Sequence, residues 1–246
     1  MKAPVIETHA LTLAAAGRTL VHALDWQATV GERWCVVGRN AAGKSTLLRT
    51  LAGIGEPALQ CGGDVCWFGR PAGAWPAVDA AAVRAFAPQQ SSDRFPITVG
   101  RLLELSIVEP HHDPRALLAA LDAAPLVERN VLELSGGERQ RVALAQCAAQ
   151  GSPLLLLDEP VAFQDAAHQL LVAQWLAALR QHALVMSAHD VNWIARAATH
   201  VLALLPDGHC EQGTVDQMLQ AERLERVYGC AWRAFDSGAG RFWVAR

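Results

Sequence analysis

The sequence predicts an α/β fold, and three observations carry that reading. The run Trp34-Cys35-Val36-Val37 is apolar without alternation, as in a strand buried on both faces, and it leads through a glycine-bounded loop into the helical stretch STLLRTLAG. A second such strand, Leu-Leu-Leu-Leu at 154–157, ends on Asp158-Glu159. Beyond it strands and helices alternate: a helix over 166–182, a strand over 183–187, a helix over 190–199 and the apolar strand VLALL at 201–205.

The remaining elements follow in chain order. Residues 1–37 read as short strands, VIETHALTL, then ATV, a turn at Gly31-Glu32, then RWCVV. Residues 54–88 place Gly and Pro at many positions, including Gly62-Gly63 and GRPAGAWP, and read as hairpins and loops. From about 98 to 150 the pattern turns helical, in VGRLLELSIVE, PRALLAALDAAPLVE and GERQRVALAQCAAQ. The expected organisation is a single domain over 1–246, with a core of about 1–90 and 151–246 and a helical insert of about 91–150.

Composition narrows the function. The 246 residues carry 21 Lys+Arg against 24 Asp+Glu, a net charge of −3, which argues against a nucleic-acid partner or an anionic membrane surface as the main target. Only Lys2 and Lys44 are lysines, which draws attention to Lys44. The six cysteines form no C-x-x-C pair and no apolar leader is visible, so a reduced, cytosolic setting is expected. No stretch of about 18 apolar residues would span a bilayer. Mean hydropathy is +0.15, which fits a large core or a surface covered by a partner.

Gly38-Arg39-Asn40-Ala41-Ala42-Gly43-Lys44-Ser45 matches G-x-x-x-x-G-K-[ST] in full. Backbone N–H groups of such a loop wrap phosphate oxygens and the following helix adds its positive end. Lys44 would reach the β- and γ-phosphates and Ser45 Oγ would ligate Mg²⁺. A strand delivering Asp158 and Glu159 at its C-terminal end suits a Mg²⁺ and water site, with Asp158 on the ion and Glu159 polarising the attacking water. Leu134-Ser135-Gly136-Gly137-Glu138 opens a helix and makes a second anion-binding end. One nucleotide cannot easily use both loops of one chain, so the second loop is expected to serve a partner subunit.

With these residues in place, the sequence resembles the ATP-binding cassette family from about residue 5 to 230. In that family GRNAAGKST, with Thr46 at its end, would be the Walker A segment, LLLLDEP the Walker B segment and LSGGE the signature. The resemblance implies a P-loop NTPase (RecA-like) core with an antiparallel β subdomain and an inserted helical subdomain. It also implies a head-to-tail homodimer sandwiching two ATP and Mg²⁺, in which Ser135 and Gly137 contact the γ-phosphate of the partner's ATP and Gly136 belongs to the same nucleotide-binding loop. Gln89 falls at the Q-loop glutamine that senses Mg²⁺ and the membrane partner, with Gln90 as the competing assignment. His189 falls at the switch histidine, and Asp165 at the D-loop aspartate of the dimer interface.

Three departures stand out. Ala41 occupies a position that is usually glycine, and Ala162-Phe163-Gln164 precedes Asp165 where the family has S-A-L. Ala14-Ala15-Ala16 stands where an adenine-stacking aromatic is expected, so adenine is expected to rest on apolar or arginine contacts, with Arg18 a candidate.

Within the family, QQSSDRFPITVGRLLEL, the His168-Gln169 pair, SAHDVNWIARAATHVLAL and LERVYGCAW resemble the importers of vitamin B12, iron-siderophores and haem. That resemblance implies an ATPase at the cytoplasmic face of the inner membrane, docked on permease subunits and served indirectly by a periplasmic or surface substrate-binding protein. The rival readings are a soluble ATPase of DNA repair or cofactor assembly and a non-hydrolytic regulatory module. His111-His112-Asp113 reads as a solvated loop rather than a metal site, Cys61 and Cys66 as free thiols, Trp175 and Trp193 as core or interface, and Arg139 and Arg141 as a solvated helix face.

Overall fold

In the computed structural model the described residues are 3–90, 95–106, 113–238 and 240–246. The chain opens with β1 (Pro4–Ala15) and β2 (Arg18–Thr29), joined by Ala16-Gly17 with φ of 50° and 74°. Two left-handed residues are what a tight hairpin turn requires, since they match the twist of the flanking strands. β3 (Arg33–Val37) leads to α1 (Lys44–Leu51), followed by β4 (Gln60–Trp67), β5 (Arg70–Pro71), α2 (Ala77–Val83) and β6 (Arg84–Ala87). Then come α3 (Val99–Glu104), α4 (Pro114–Ala119) and α5 (Gly136–Ala149). The second half runs β7 (Leu154–Leu157), α6 (Ala166–Ala178), β8 (Ala183–Ser187), α7 (Val191–Ala197), β9 (His200–Leu204) and β10 (Cys210–Thr214). α8 (Val215–Met218), α9 (Ala221–Tyr228) and the hairpin β11 (Trp232–Ser237)–β12 (Gly240–Ala245) complete it.

The central sheet has the order β10-β9-β3-β8-β7-β6, parallel except for β10. An antiparallel sheet, β2-β1-β4-β5, lies to one side. The side chains of the central strands divide between two cores. Trp34, Val36, Leu154 and Leu156 pack with α1 and the antiparallel sheet, whereas Cys35, Val37, Leu155 and Leu157 pack with residues of α3 to α7. A strand with apolar neighbours on both faces has no polar face, which is why these runs lack alternation. Trp175 and Trp193 are buried in the second core. All six cysteines are free thiols, Cys66 buried and Cys61 exposed.

The structure departs from the sequence reading in several places: α6 ends at Ala178 rather than at residue 182, and β10, α8, α9 and the β11–β12 hairpin follow the last expected strand. Residues 54–88 hold the β4–β5 hairpin but also α2 and β6, a four-residue edge strand too short to show a period. β2 extends back to Arg18 rather than covering ATV alone. Register shifts between Thr8 and Leu11 and between Leu11 and Leu13 interrupt its pairing with β1, so no sustained period-2 pattern marks it. Among the described residues, no helix is long and apolar enough to cross a membrane.

Candidate functional site

β3 ends at the glycine loop and α1 begins with Lys44. Ala41, at φ 59°, takes the left-handed conformation expected of a glycine, an arrangement that costs about 1–2 kcal/mol for an L-residue. Gly43 caps α1 at φ 99°, and a Cβ there would lie 3.0 Å from that of Leu20. Lys44 is buried, with Nζ donating to the carbonyls of Gly38 at 3.0 Å and Arg39 at 3.2 Å. Burial lowers its pKa, while the carboxylates of Glu159 and Asp158 act to raise it.

A cleft of about 590 Å³ opens over this loop, lined by Leu20, Asn40, Ala41, Ala42, Gly43, Lys44, Ser45, Thr46, Gln89, Glu159 and His189. Gln90 does not line it, so the two adjacent glutamines differ in position. Arg18, the first residue of β2, is exposed and outside the cleft lining, whereas Leu20 of the same strand is part of it.

Asp158 lies behind the lining, almost fully buried. Ser187 Oγ donates to Asp158 Oδ1 at 2.6 Å and accepts from the Glu159 N–H at 2.9 Å. The pairing of Leu157 with Met186 in β7 and β8 sets these next residues side by side. Glu159 is held at φ 51°, outside the usual range for its type, and its side chain is 10% exposed. Burial pushes its carboxyl up to about 7, with Lys44 opposing and Asp158 adding to the shift. Its Oε1 lies 2.8 Å from His189 Nε2. Burial, and then Lys44, lower the His189 pKa. Both shifts favour the neutral forms and so weaken the contact as an ion pair.

The second loop is built just as locally. Ser135 caps α5 by accepting from the Glu138 N–H at 3.3 Å, while its own N–H donates to Glu138 Oε2 at 2.8 Å. This reciprocal cap satisfies donors at a helix start. Glu138 is held in turn by Arg129 at 3.0 Å. Ser135 and Gly136 are exposed, and residues 135–137 do not line the cleft of their own chain. Gly137 is required by a close approach: a Cβ would sit 2.9 Å from the Phe163 carbonyl oxygen. Gln164 Nε2 donates to the Gly137 carbonyl at 2.8 Å, Arg141 donates to Gln164 Oε1 at 3.0 Å, and Gln140 Nε2 donates to the Glu159 carbonyl at 3.2 Å. Phe163, at φ 62°, stands over Gly136 and is 63% exposed.

The signature helix, the loop over 161–165 and Glu159 are therefore one connected unit. Arg141 belongs to it as a buried residue, which corrects its assignment to a solvated face; its guanidinium donates to the Gln164 carboxamide oxygen. Asp165 is exposed and caps α6, accepting from the His168 N–H at 2.9 Å. Ser187, Gln140 and Gln164 are structural partners that the motifs did not reveal. His111 and His112 lie outside the described residues.

A parallel sheet with a glycine loop opening a helix, and an acidic pair at the end of β7 facing it, defines a P-loop ATPase. The profile of the ABC transporter family matches residues 21–162. The hemin import ATP-binding protein HmuV of Gloeobacter violaceus is 42% identical over 234 residues, covering 87% of this chain and 83% of its own length. That of Myxococcus xanthus is 40% identical over 233 residues, covering 87% and 85%. A solved transporter described as of metal-chelate type, in an inward-facing conformation, superposes with a TM-score of 0.80 at 23% identity over 99% of this chain and 98% of its own, a likeness of fold. The chain belongs to the ABC transporter family: it binds ATP and is an ATPase coupled to transport.

Proposed function

We propose that this chain is the ATP-hydrolysing subunit of an importer, associated peripherally with a permease at the cytoplasmic face of the cell membrane, and that its cargo is haem. The observation that carries the hydrolytic part is the convergence of Lys44, Glu159, His189 and Gln89 on one cleft. The cargo rests on the relatives named for hemin import, which align over most of their own length.

The donor set fits Mg²⁺. Ser45, Gln89 and Asp158 offer hard oxygen ligands, and Asp158 keeps a carboxylate in place through Ser187. These residues would hold the ion, which when bound offsets phosphate charge. The N–H groups of the Gly38–Thr46 loop and the start of α1 bind the phosphates of ATP, and Leu20 supports the adenine. Lys44 turns from the loop carbonyls to the β- and γ-phosphates. Glu159 orients water for in-line attack: an O–P bond forms at the γ-phosphorus, the bond to ADP breaks and the water proton leaves through the carboxylate. His189 positions Glu159 and the γ-phosphate. In a head-to-tail dimer the exposed Ser135 and the half-buried Gly137 complete the partner's site, with Asp165 beside the interface. Unlocking that dimer after hydrolysis resets the permease, to which a substrate-binding protein delivers the cargo.

The test is recovery of the tagged chain from detergent-solubilised membranes, followed by uptake of haem, cobalamin and ferric siderophores in cells carrying or lacking it. A multi-span permease in near-equal amount and loss of haem uptake alone support the reading. Loss of cobalamin or siderophore uptake instead changes the cargo. Soluble partners only, with no chain in the membrane fraction, overturn the importer.

A further inference from the structure

A second cluster of chemically active side chains lies away from the nucleotide cleft, on the antiparallel sheet. β1 and β4 pair with Glu7 opposite Cys66 and His9 opposite Asp64. Ile6 and Thr8 point into the core and are buried, so alternation puts Glu7 and His9 together on the other face, and the register brings Cys66 and Asp64 to that same face. There a carboxylate oxygen of Glu7, a ring nitrogen of His9 and Cys66 Sγ all lie within 4.8 Å of one another. His9 Nε2 is 3.8 Å from Glu7 Oε2. Metal bonds of about 2.0–2.3 Å at tetrahedral angles place neighbouring ligand atoms about 3.3–3.7 Å apart, so small side-chain rotations suffice to bring the three onto one ion.

The surroundings favour a cation. Among the described residues neither Glu7 nor Asp64 has a lysine or arginine partner, although both flank the thiol. The set also has a closed and an open side: Cys66 is buried, the Glu7 side chain is 21% exposed and the His9 side chain 59%. We propose that Glu7, His9 and Cys66 bind a borderline transition-metal ion of the Zn²⁺ class, with water or Asp64 in the fourth position. The sulfur and imidazole donors select this class over Mg²⁺ and Ca²⁺, which the all-oxygen donors of the nucleotide cleft suit instead. On binding, the Cys66 thiol releases its proton to solvent as the sulfur–metal bond forms, and the ion joins β1 to β4. The site is independent of the cargo and of the hydrolytic reading.

The test uses the untagged, nucleotide-free full chain. Zn²⁺ is titrated in competition with a chromophoric chelator, and Co²⁺ binding is followed by absorption. One Zn²⁺ per chain is expected, with E7Q, H9A and C66S each weakening binding at least about tenfold, and with C61S and the double variant H111A/H112A binding as wild type does. Co²⁺ should give a thiolate-to-cobalt charge-transfer band that C66S abolishes and C61S leaves intact. Absence of stoichiometric Zn²⁺ binding overturns the site, and so does binding that survives H9A or that disappears in C61S or H111A/H112A. Should C66S fail to fold, H9A, on an exposed position, still decides.

Discussion

Ser187 is the residue through which the account is most exposed to refutation. Its hydroxyl donates to Asp158 at 2.6 Å and accepts from the Glu159 N–H at 2.9 Å, in a fully buried setting. Ser187→Ala removes one charge-assisted hydrogen bond, worth about 1.5–3 kcal/mol, and strands a buried N–H at a cost of about 1–3 kcal/mol. Because one hydroxyl serves both, the two overlap, and a total near 3 kcal/mol is expected. For a chain of this size that lowers Tm by about 6–12 °C. Glu159 loses the anchor of its strained backbone, and misplacing a catalytic group by about 1 Å can reduce turnover about 100-fold. Calorimetric melting and a coupled ATPase assay on S187A measure both effects. S187C, which keeps the branching of the side chain but puts a larger, weakly bonding atom in place of the oxygen, should resemble S187A. Melting within about 2 °C of wild type together with undiminished turnover would refute the idea that Ser187 holds the acidic pair.

Other consequences follow from the same geometry. Burial raises Glu159 from the usual 4.5 to about 7, so the folded chain retains a proton that the unfolded chain loses. That contribution is complete below about pH 4.5 and disappears as pH rises through about 7, so nucleotide-free wild type should lose about 3 kcal/mol relative to E159Q across that window in urea unfolding. A flat difference would show that Glu159 is not held protonated. Gly137→Ala drives a Cβ to 2.9 Å from the Phe163 carbonyl and should destabilise the chain by about 1–3 kcal/mol, with ATP affinity kept and hydrolysis reduced; an unchanged denaturation midpoint would contradict the close approach. Lys44→Ala removes a charged donor worth about 1.5–3 kcal/mol, so a fluorescent ATP analogue should bind about 10- to 100-fold more weakly.

What could be read from the sequence was what chemistry forces into contiguous runs. The phosphate loop, Asp158-Glu159 and Ser135–Gly137 each combine a local conformation with a required residue type within a few positions, and each lies at a strand end or helix start in the structure. Ser187 could not be read that way, because its place beside Asp158 depends on the register of β7 against β8, 29 residues apart along the chain. Gln140, Arg141 and Gln164 are polar residues in helix and loop stretches that look solvated until the turn over 161–165 folds back on α5. Leu20 enters the cleft because the β1–β2 hairpin is long, and irregular pairing hid that length. β6 escaped because an edge strand of four residues leaves no periodic trace.

The most direct test of the account is ATP hydrolysis by Glu159→Gln with nucleotide binding measured on the same sample. The substitution keeps the size of the side chain and removes the carboxylate that orients the attacking water. Turnover should fall at least about 100-fold, within the range of a positioned acid–base group, while ATP affinity stays within about threefold of wild type. Hydrolysis by E159Q at the wild-type rate would contradict the assignment of Glu159 and the reading of the cleft built on it.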